Sequence, residues 1–350
     1  MPPTDPEISA LLGPGPPQGL GKIGTMRWAA KNPPKDPQTS LAGKTVLVTG
    51  SNTGLGYHAA LKFAAMGASR LILAVRTISK GEEAKRRIIE ATSGGTSTTI
   101  TVLPLDMNNF ASVRAFPGLL EQANIRTLDI AVLNAGIAPP TYQVNASTGW
   151  ESALQVNVLA TALLAIILMP ILMTTTATNG GRPAQLTLTG SFAHLYLTTK
   201  DLPTVAPGQK VLEAINSPRA FNVETSYAVM KLLTMYVMQG LVKDYAGSES
   251  TPEVTINVAC PGLCTTDLGR DFPWYVVLPS KLMQMYCARS AEEGSRALVS
   301  ATLLGTAGHG KFWSNDVFTE PGIMVTSEEG RRLQAQTWAE IVTVCKSQLN

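Results

Sequence analysis

Val46-Leu47-Val48-Thr49-Gly50-Ser51-Asn52-Thr53-Gly54-Leu55-Gly56 runs an apolar strand straight into a turn punctuated by glycines. Just beyond it, Ala59, Ala60, Phe63 and Ala64 recur at helical spacing. A strand that is apolar at consecutive positions has to be covered on both faces, as strands of a parallel sheet are. Leu71-Ile72-Leu73 repeats the pattern, and from Leu41 onward short apolar strands alternate with amphipathic helices.

The spacing predicts strands at Thr45–Thr49, Arg70–Val75, Thr99–Pro104, Asp129–Leu133, Ala184–Thr189, Thr255–Cys260 and Gly310–Trp313. The expected architecture is α/β: a single Rossmann-type, doubly wound domain with a mostly seven-stranded parallel sheet and helices on both faces. That domain spans 41–350 and includes a C-terminal helix opening at Ser327-Glu328-Glu329, with Leu333, Trp338, Ile341 and Val342 facing inward. Residues 1–40 are rich in proline and glycine. Proline blocks helix and interior strand, so they read as an arm outside the core that Ile23, Met26 and Trp28 could dock to its surface.

Composition narrows the function. Hydrophobic residues make up 45% of the 350 and charged residues only 15%, so a large core is affordable and the surface is greasy. A net charge of +3, dispersed along the chain, excludes a nucleic-acid footprint. The four cysteines and three histidines have no zinc spacing, so no metal site is expected. Leu11-Leu12 is cut short by Gly13-Pro14-Gly15, which excludes a signal peptide, and Val158–Met173 reads as a buried helix. A cytoplasmic protein is expected, with peripheral membrane contact left open.

In the glycine turn, Gly50 permits the tight bend, Gly54 lets backbone amides approach a pyrophosphate, and Gly56 allows close helix–strand packing. Ser51, Asn52, Thr53 and Leu55 complete that loop. At the end of the second strand, where an acid would bind the ribose hydroxyl of NAD, stands Arg76. An arginine there suits a 2′-phosphate, so the expected cofactor is NADP(H). Downstream, Tyr227 and Lys231 lie one helical turn apart. Free tyrosine titrates near pH 10, and making it work near pH 7 takes roughly 4 kcal/mol of phenolate stabilisation. A cation about 4 Å away at an effective dielectric near 20 supplies about that.

Together these motifs resemble the short-chain dehydrogenase/reductase family in its longer retinol-dehydrogenase-like and fungal biosynthetic forms, from about Leu41 to the C-terminus. Thr49 to Gly56 matches TGxxxGxG. Leu105-Asp106-Met107 resembles the adenine-contacting step, and Leu133-Asn134-Ala135-Gly136 resembles NNAG with leucine for the first asparagine. Gln155-Val156-Asn157, Thr189-Gly190-Ser191, Tyr227/Lys231 and Pro261-Gly262-Leu263-Cys264-Thr265-Thr266 follow in the family's order.

The resemblance implies that Tyr227 is the general acid and that Ser191 donates to the same carbonyl oxygen. It implies that Lys231 lowers the tyrosine pKa and binds the nicotinamide ribose, that Asn157 anchors a water relay, and that Pro261, Gly262 and Thr266 hold the nicotinamide end. Asp106, Met107, Asn134, Ala135 and Gly136 join the cofactor site. The implied activity is interconversion of a hydrophobic ketone or aldehyde and its alcohol, as a ketoreductase of secondary metabolism. An NAD-dependent alcohol dehydrogenase and a non-catalytic nucleotide-sensing homologue remain alternatives. A homo-oligomer is an expectation by resemblance alone. Two excursions, Phe192–Thr225 with His194 read as a surface-loop residue, and Asp271–Tyr286 read as an aromatic and methionine-rich lid, would frame a bulky apolar substrate.

Overall fold

The computed structural model describes residues 6–92, 97–206, 208–247, 251–269, 272 and 274–349. Helices α1 (Pro6–Leu11) and α2 (Lys22–Lys31) precede the first strand. The alternation then runs β1 (Thr45–Thr49), α3 (Gly54–Ala65), β2 (Arg70–Val75), α4 (Ile78–Thr92), β3 (Thr99–Pro104), α5 (Phe110–Gln122) and β4 (Ile130–Leu133). A π-helical turn (Leu154–Ala160) leads into α6 (Thr161–Thr178), then β5 (Ala184–Thr189), α7 (Val211–Ile215), α8 (Ser226–Tyr245) and β6 (Val254–Cys260). The chain ends with α9 (Trp274–Cys287), α10 (Ala291–Ala301), β7 (Phe312–Ser314), β8 (Val317–Phe318), α11 (Ile323–Thr326) and α12 (Glu328–Leu349).

All seven expected strands form and run parallel, in the sheet order β3-β2-β1-β4-β5-β6-β7-β8. The eighth, β8, was not expected. Asn315 and Asp316 both take positive φ (52° and 59°), a two-residue turn of type I′ handedness that folds Val317 and Phe318 back antiparallel on β7. The strand order reverses between β1 and β4, so a crevice opens at their carboxyl ends.

Successive strand residues point to opposite faces, and each face has its own core. Leu47, Ile72 and Ala131 pack with α5, α6 and α8, whereas Val46, Val48, Leu71 and Leu73 pack with α3, α4 and α10. The run from Leu154 to Thr178 is long and apolar enough to cross a membrane, yet 72% of its most apolar window is buried inside the fold. It is the central helix of one layer. On α12, Trp338 and Ile341 are buried and Leu333 and Val342 half-buried, with the Ser327 hydroxyl accepting from the Gly330 amide at 3.0 Å.

The proline-rich segment does not trail into solvent. Its prolines bracket two helices whose Ile8, Leu11, Met26 and Ala29 are buried; Ile23 faces outward and Trp28 is half-buried. Proline is tolerated in a first helical turn and between helices, so it delimits these two without preventing them.

Candidate active site

The crevice at the switch point is a cleft of about 490 Å³. Its floor is the glycine turn. A Cβ on Gly56 would lie 2.4 Å from the Gly50 carbonyl oxygen, so α3 can start this close to β1 only with glycine there. Asn134 fastens β4 to the same turn: its side-chain amide donates to the Thr49 oxygen at 3.0 Å, while the Thr49 hydroxyl accepts from the Asn134 and Ala135 amides at 2.9 and 3.0 Å. Leu133, where the family pattern has asparagine, is buried.

Gly50, Asn52, Thr53, Gly54, Leu55, Arg76, Asp106, Met107, Asn134, Ala135, Gly136, Asn157, Tyr227, Lys231, Pro261 and Thr266 all line this cleft. Ser51, Gly56, Gly262 and Ser191 are not part of its lining. Ser51 and Gly56 are buried behind the turn, and Gly262 faces Arg289. Ser191 is buried beside Tyr227, near enough for its hydroxyl to favour the ionised phenol. Tyr227 itself lines the cleft.

α8 sets Tyr227 and Lys231 on one face, and the lysine Nζ donates to the Thr189 carbonyl at 2.7 Å, 5.7 Å from the centre of the tyrosine ring. The expected acidification of the phenol does not occur in the protein alone. Burial pushes Tyr227 above its ordinary value, with the neighbouring Ser191 hydroxyl opposing it. Burial likewise pulls Lys231 down to about 8. Desolvation dominates at both groups because each charged form loses water.

Asn157 lies in the π-helical turn. Its Oδ1 accepts from the Ile137 amide and its Nδ2 donates to the Ile137 oxygen, both at 2.8 Å. The side chain thus holds the wall after Gly136.

A family model for short chain dehydrogenases matches residues 44–183. The short-chain dehydrogenase/reductase ffsI of Aspergillus flavipes is 45% identical over 315 residues, covering 90% of this chain and 89% of its own. This chain belongs to the short-chain dehydrogenase/reductase family.

Another member of the family, phmF of Phaeosphaeria nodorum, is 42% identical over 322 residues, 92% of each chain. Among solved structures, an NADP active-site complex of Pseudomonas aeruginosa RhlG shares the fold with a TM-score of 0.58 at 23% identity, covering 80% of this chain and 97% of that one. As a short-chain dehydrogenase/reductase the protein is an oxidoreductase of CH–OH groups whose fold binds a nicotinamide cofactor.

Several neighbours of the site escape a sequence reading of this dehydrogenase/reductase. Thr77 and Lys80 line the cleft beside Arg76; Lys80, in the first turn of α4, reads from sequence as one more surface lysine. Ile137, Ala138, Pro139 and Val156 line its other side. His194 is not a surface residue: it is fully buried, its Nδ1 2.6 Å from the Ser191 oxygen and its ring edge-on to Phe312. A tight 3₁₀ turn after Ser191 folds it inward. Tyr196 stays partly outside, with the Lys22 ammonium 5.2 Å from its ring centre, and Phe221 packs edge-on to Tyr142. In the second excursion, Asp271 and Pro273 and the side chains of Trp274–Pro279 lie outside the described residues. Leu282, Met285 and Tyr286 turn to solvent, and no described residue of that excursion lines the cleft; Leu268, just before it, does.

Proposed function

We propose that this protein is an NADP(H)-dependent, cytoplasmic short-chain dehydrogenase/reductase that interconverts a hydrophobic ketone or aldehyde and its alcohol, acting as a ketoreductase in secondary metabolism. The observation that carries the reading is that Tyr227, with Ser191 beside it, and Lys231 line the same cleft as the glycine turn.

The residues fit the nucleotide. A Cβ built on Gly54 would already touch Thr266 at 3.9 Å, so glycine is what keeps the cleft open between the turn and the opposite wall. The Thr189 hydroxyl is buried without a hydrogen-bond partner among the described residues. Backbone amides of Gly50 to Leu55 would hold the pyrophosphate, Asp106 and Met107 the adenine, and Pro261 and Thr266 the nicotinamide end. Arg76, Thr77 and Lys80 would hold a 2′-phosphate. Relatives in fold include a Pseudomonas aeruginosa protein solved with NADP, consistent with that choice.

When bound, the reduced nucleotide supplies the hydride. Tyr227, kept protonated by burial, gives its proton to the carbonyl oxygen as negative charge develops there, and the Ser191 hydroxyl holds that oxygen. Lys231, with its pKa near 8, then has a proton to return toward the phenolate close to neutral pH. It also offers a donor to the nicotinamide ribose. Ile137, Ala138, Pro139 and Val156 give the substrate side an apolar lining. Comparing kcat/KM for NADPH and NADH over a panel of apolar ketones tests the reading; a preference for NADH refutes the cofactor choice, and no turnover with any carbonyl refutes the activity.

A further inference from the structure

Pro261 and Thr266 line the cleft from the two ends of a segment that backs one wall and has little regular structure of its own. One residue outside the wall holds most of it. Arg289, only 2% exposed, donates its backbone amide to the Leu263 oxygen and accepts from the Thr265 amide, both at 2.9 Å. Its side chain continues the job. A Cβ on Gly262 would lie 3.2 Å from the guanidinium carbon, so the plane rests directly on that glycine, whose φ of +79° suits no bulkier residue. Nη1 reaches the Pro261 oxygen at 3.5 Å.

The other side of the guanidinium faces away from the cleft. Nη2 donates to the Ala29 oxygen at 2.6 Å and to Asn315 Oδ1 at 2.8 Å. Ala29 lies in the last turn of α2, where carbonyl groups lack partners within the helix and the dipole favours a cation. A buried guanidinium is costly unless its donors are satisfied; Nε has no partner among the described residues, so the Nη2 bond to the end of α2 counts for more in holding the group against the wall. The segment around α2 is anchored to the same corner, with the Gly13 amide on the Asp316 oxygen at 2.8 Å and the Lys35 amide on Asp316 Oδ2 at 2.7 Å.

We propose that Arg289 is a positioning residue for the Pro261–Thr266 wall and that α2 caps it, so that the N-terminal segment sets how tightly the cleft holds its nucleotide. This rests on the cofactor reading above.

NADPH titrated into the full chain, followed by its fluorescence, tests the idea, with kcat measured at saturating nucleotide. Arg289→Lys keeps the charge but cannot span Pro261, Gly262 and Ala29 at once. Its expected Kd is at least tenfold weaker, with kcat within about threefold. Met26→Ser loosens α2 from outside the cleft; its expected Kd is at least threefold weaker, and the double variant is no weaker than Arg289→Lys alone. A merely structural role would lower the melting temperature and leave Kd alone. Wild-type Kd in both folded variants overturns the proposal, and a normal Met26→Ser beside a weakened Arg289→Lys overturns the role of α2. Should Arg289→Lys fail to fold, Met26→Ser decides: unchanged Kd overturns, weakened Kd supports. Wild-type protein that binds neither NADPH nor NADH overturns the cofactor reading itself, and this inference with it.

Discussion

The Ser191 hydroxyl lies near enough to the phenol of Tyr227 to favour its ionised form, although one follows the end of β5 and the other sits in the first turn of α8. Gly190 lets the chain leaving β5 stay close to β6: a Cβ at that position would lie 2.3 Å from a Val258 methyl. Serine is thereby set just beyond the end of a central strand, beside the tyrosine. Two hydroxyl groups so placed can address one substrate oxygen.

Tyr227→Phe removes the proton donor and leaves the ring. The expected result is a fall in kcat of about 10²- to 10⁴-fold, the usual share of general acid catalysis, with NADPH affinity within a few-fold of wild type. Stopped-flow turnover beside a binding titration checks it, and near-native kcat would remove Tyr227 from the chemistry.

His194 reaches the same serine from behind, through the Ser191 carbonyl. His194→Phe keeps the edge-on contact with Phe312 but strands that buried carbonyl, a loss of about 1–3 kcal/mol of stability. Expected kinetics are a lower kcat with unchanged KM for NADPH. Burial lowers the His194 pKa below the ordinary histidine value of about 6.5. The unfolded chain therefore takes up a proton that the folded one resists, and stability drops as pH falls below about 6.5. Urea unfolding at pH 7.5 and 5.5 should show a larger difference for wild type than for His194→Phe.

The strands and the glycine turn were legible because each is a local signal: a continuous apolar run, or glycines spaced for a bend. Tyr227, Lys231 and Arg76 were legible because residue type and spacing alone suggest their chemistry. What escaped depends on contacts distant in sequence. Lys80 reaches the cleft only because α4 packs back along β2, and His194 turns inward only because Phe312 waits on β7. The helices among the N-terminal prolines hold through burial of Ile8, Leu11, Met26 and Ala29, which composition cannot show. The type I′ turn at Asn315-Asp316 was a readable signal that the strand pattern overlooked.

Arg76 and Lys80 stand together where a 2′-phosphate would lie. Each charged hydrogen bond is worth about 1.5–3 kcal/mol, so Arg76→Ala should lower kcat/KM for NADPH by roughly ten- to a hundredfold. Lys80→Ala should lower it less, because an ammonium makes a single-point contact. NADH kinetics should shift less than threefold in both. Equal losses with the two nucleotides would place these side chains on a part of the cofactor common to both.

Lys231 offers a test through pH alone. Burial brings it from the ordinary lysine value of about 10.5 to about 8, so between those values the unfolded chain holds a proton that the folded chain has released. The lysine thus opposes folding below about pH 8, and that opposition fades as pH rises toward 10.5. Lys231→Met removes the group, so the stability gained by wild type between pH 8 and 10 should shrink in the variant. NADPH affinity should fall in parallel, since the donor for the ribose is gone. Paired urea titrations at pH 7.5 and 9.5 give the slope, and identical slopes in the two proteins would mean that Lys231 keeps an ordinary pKa despite its burial against Thr189.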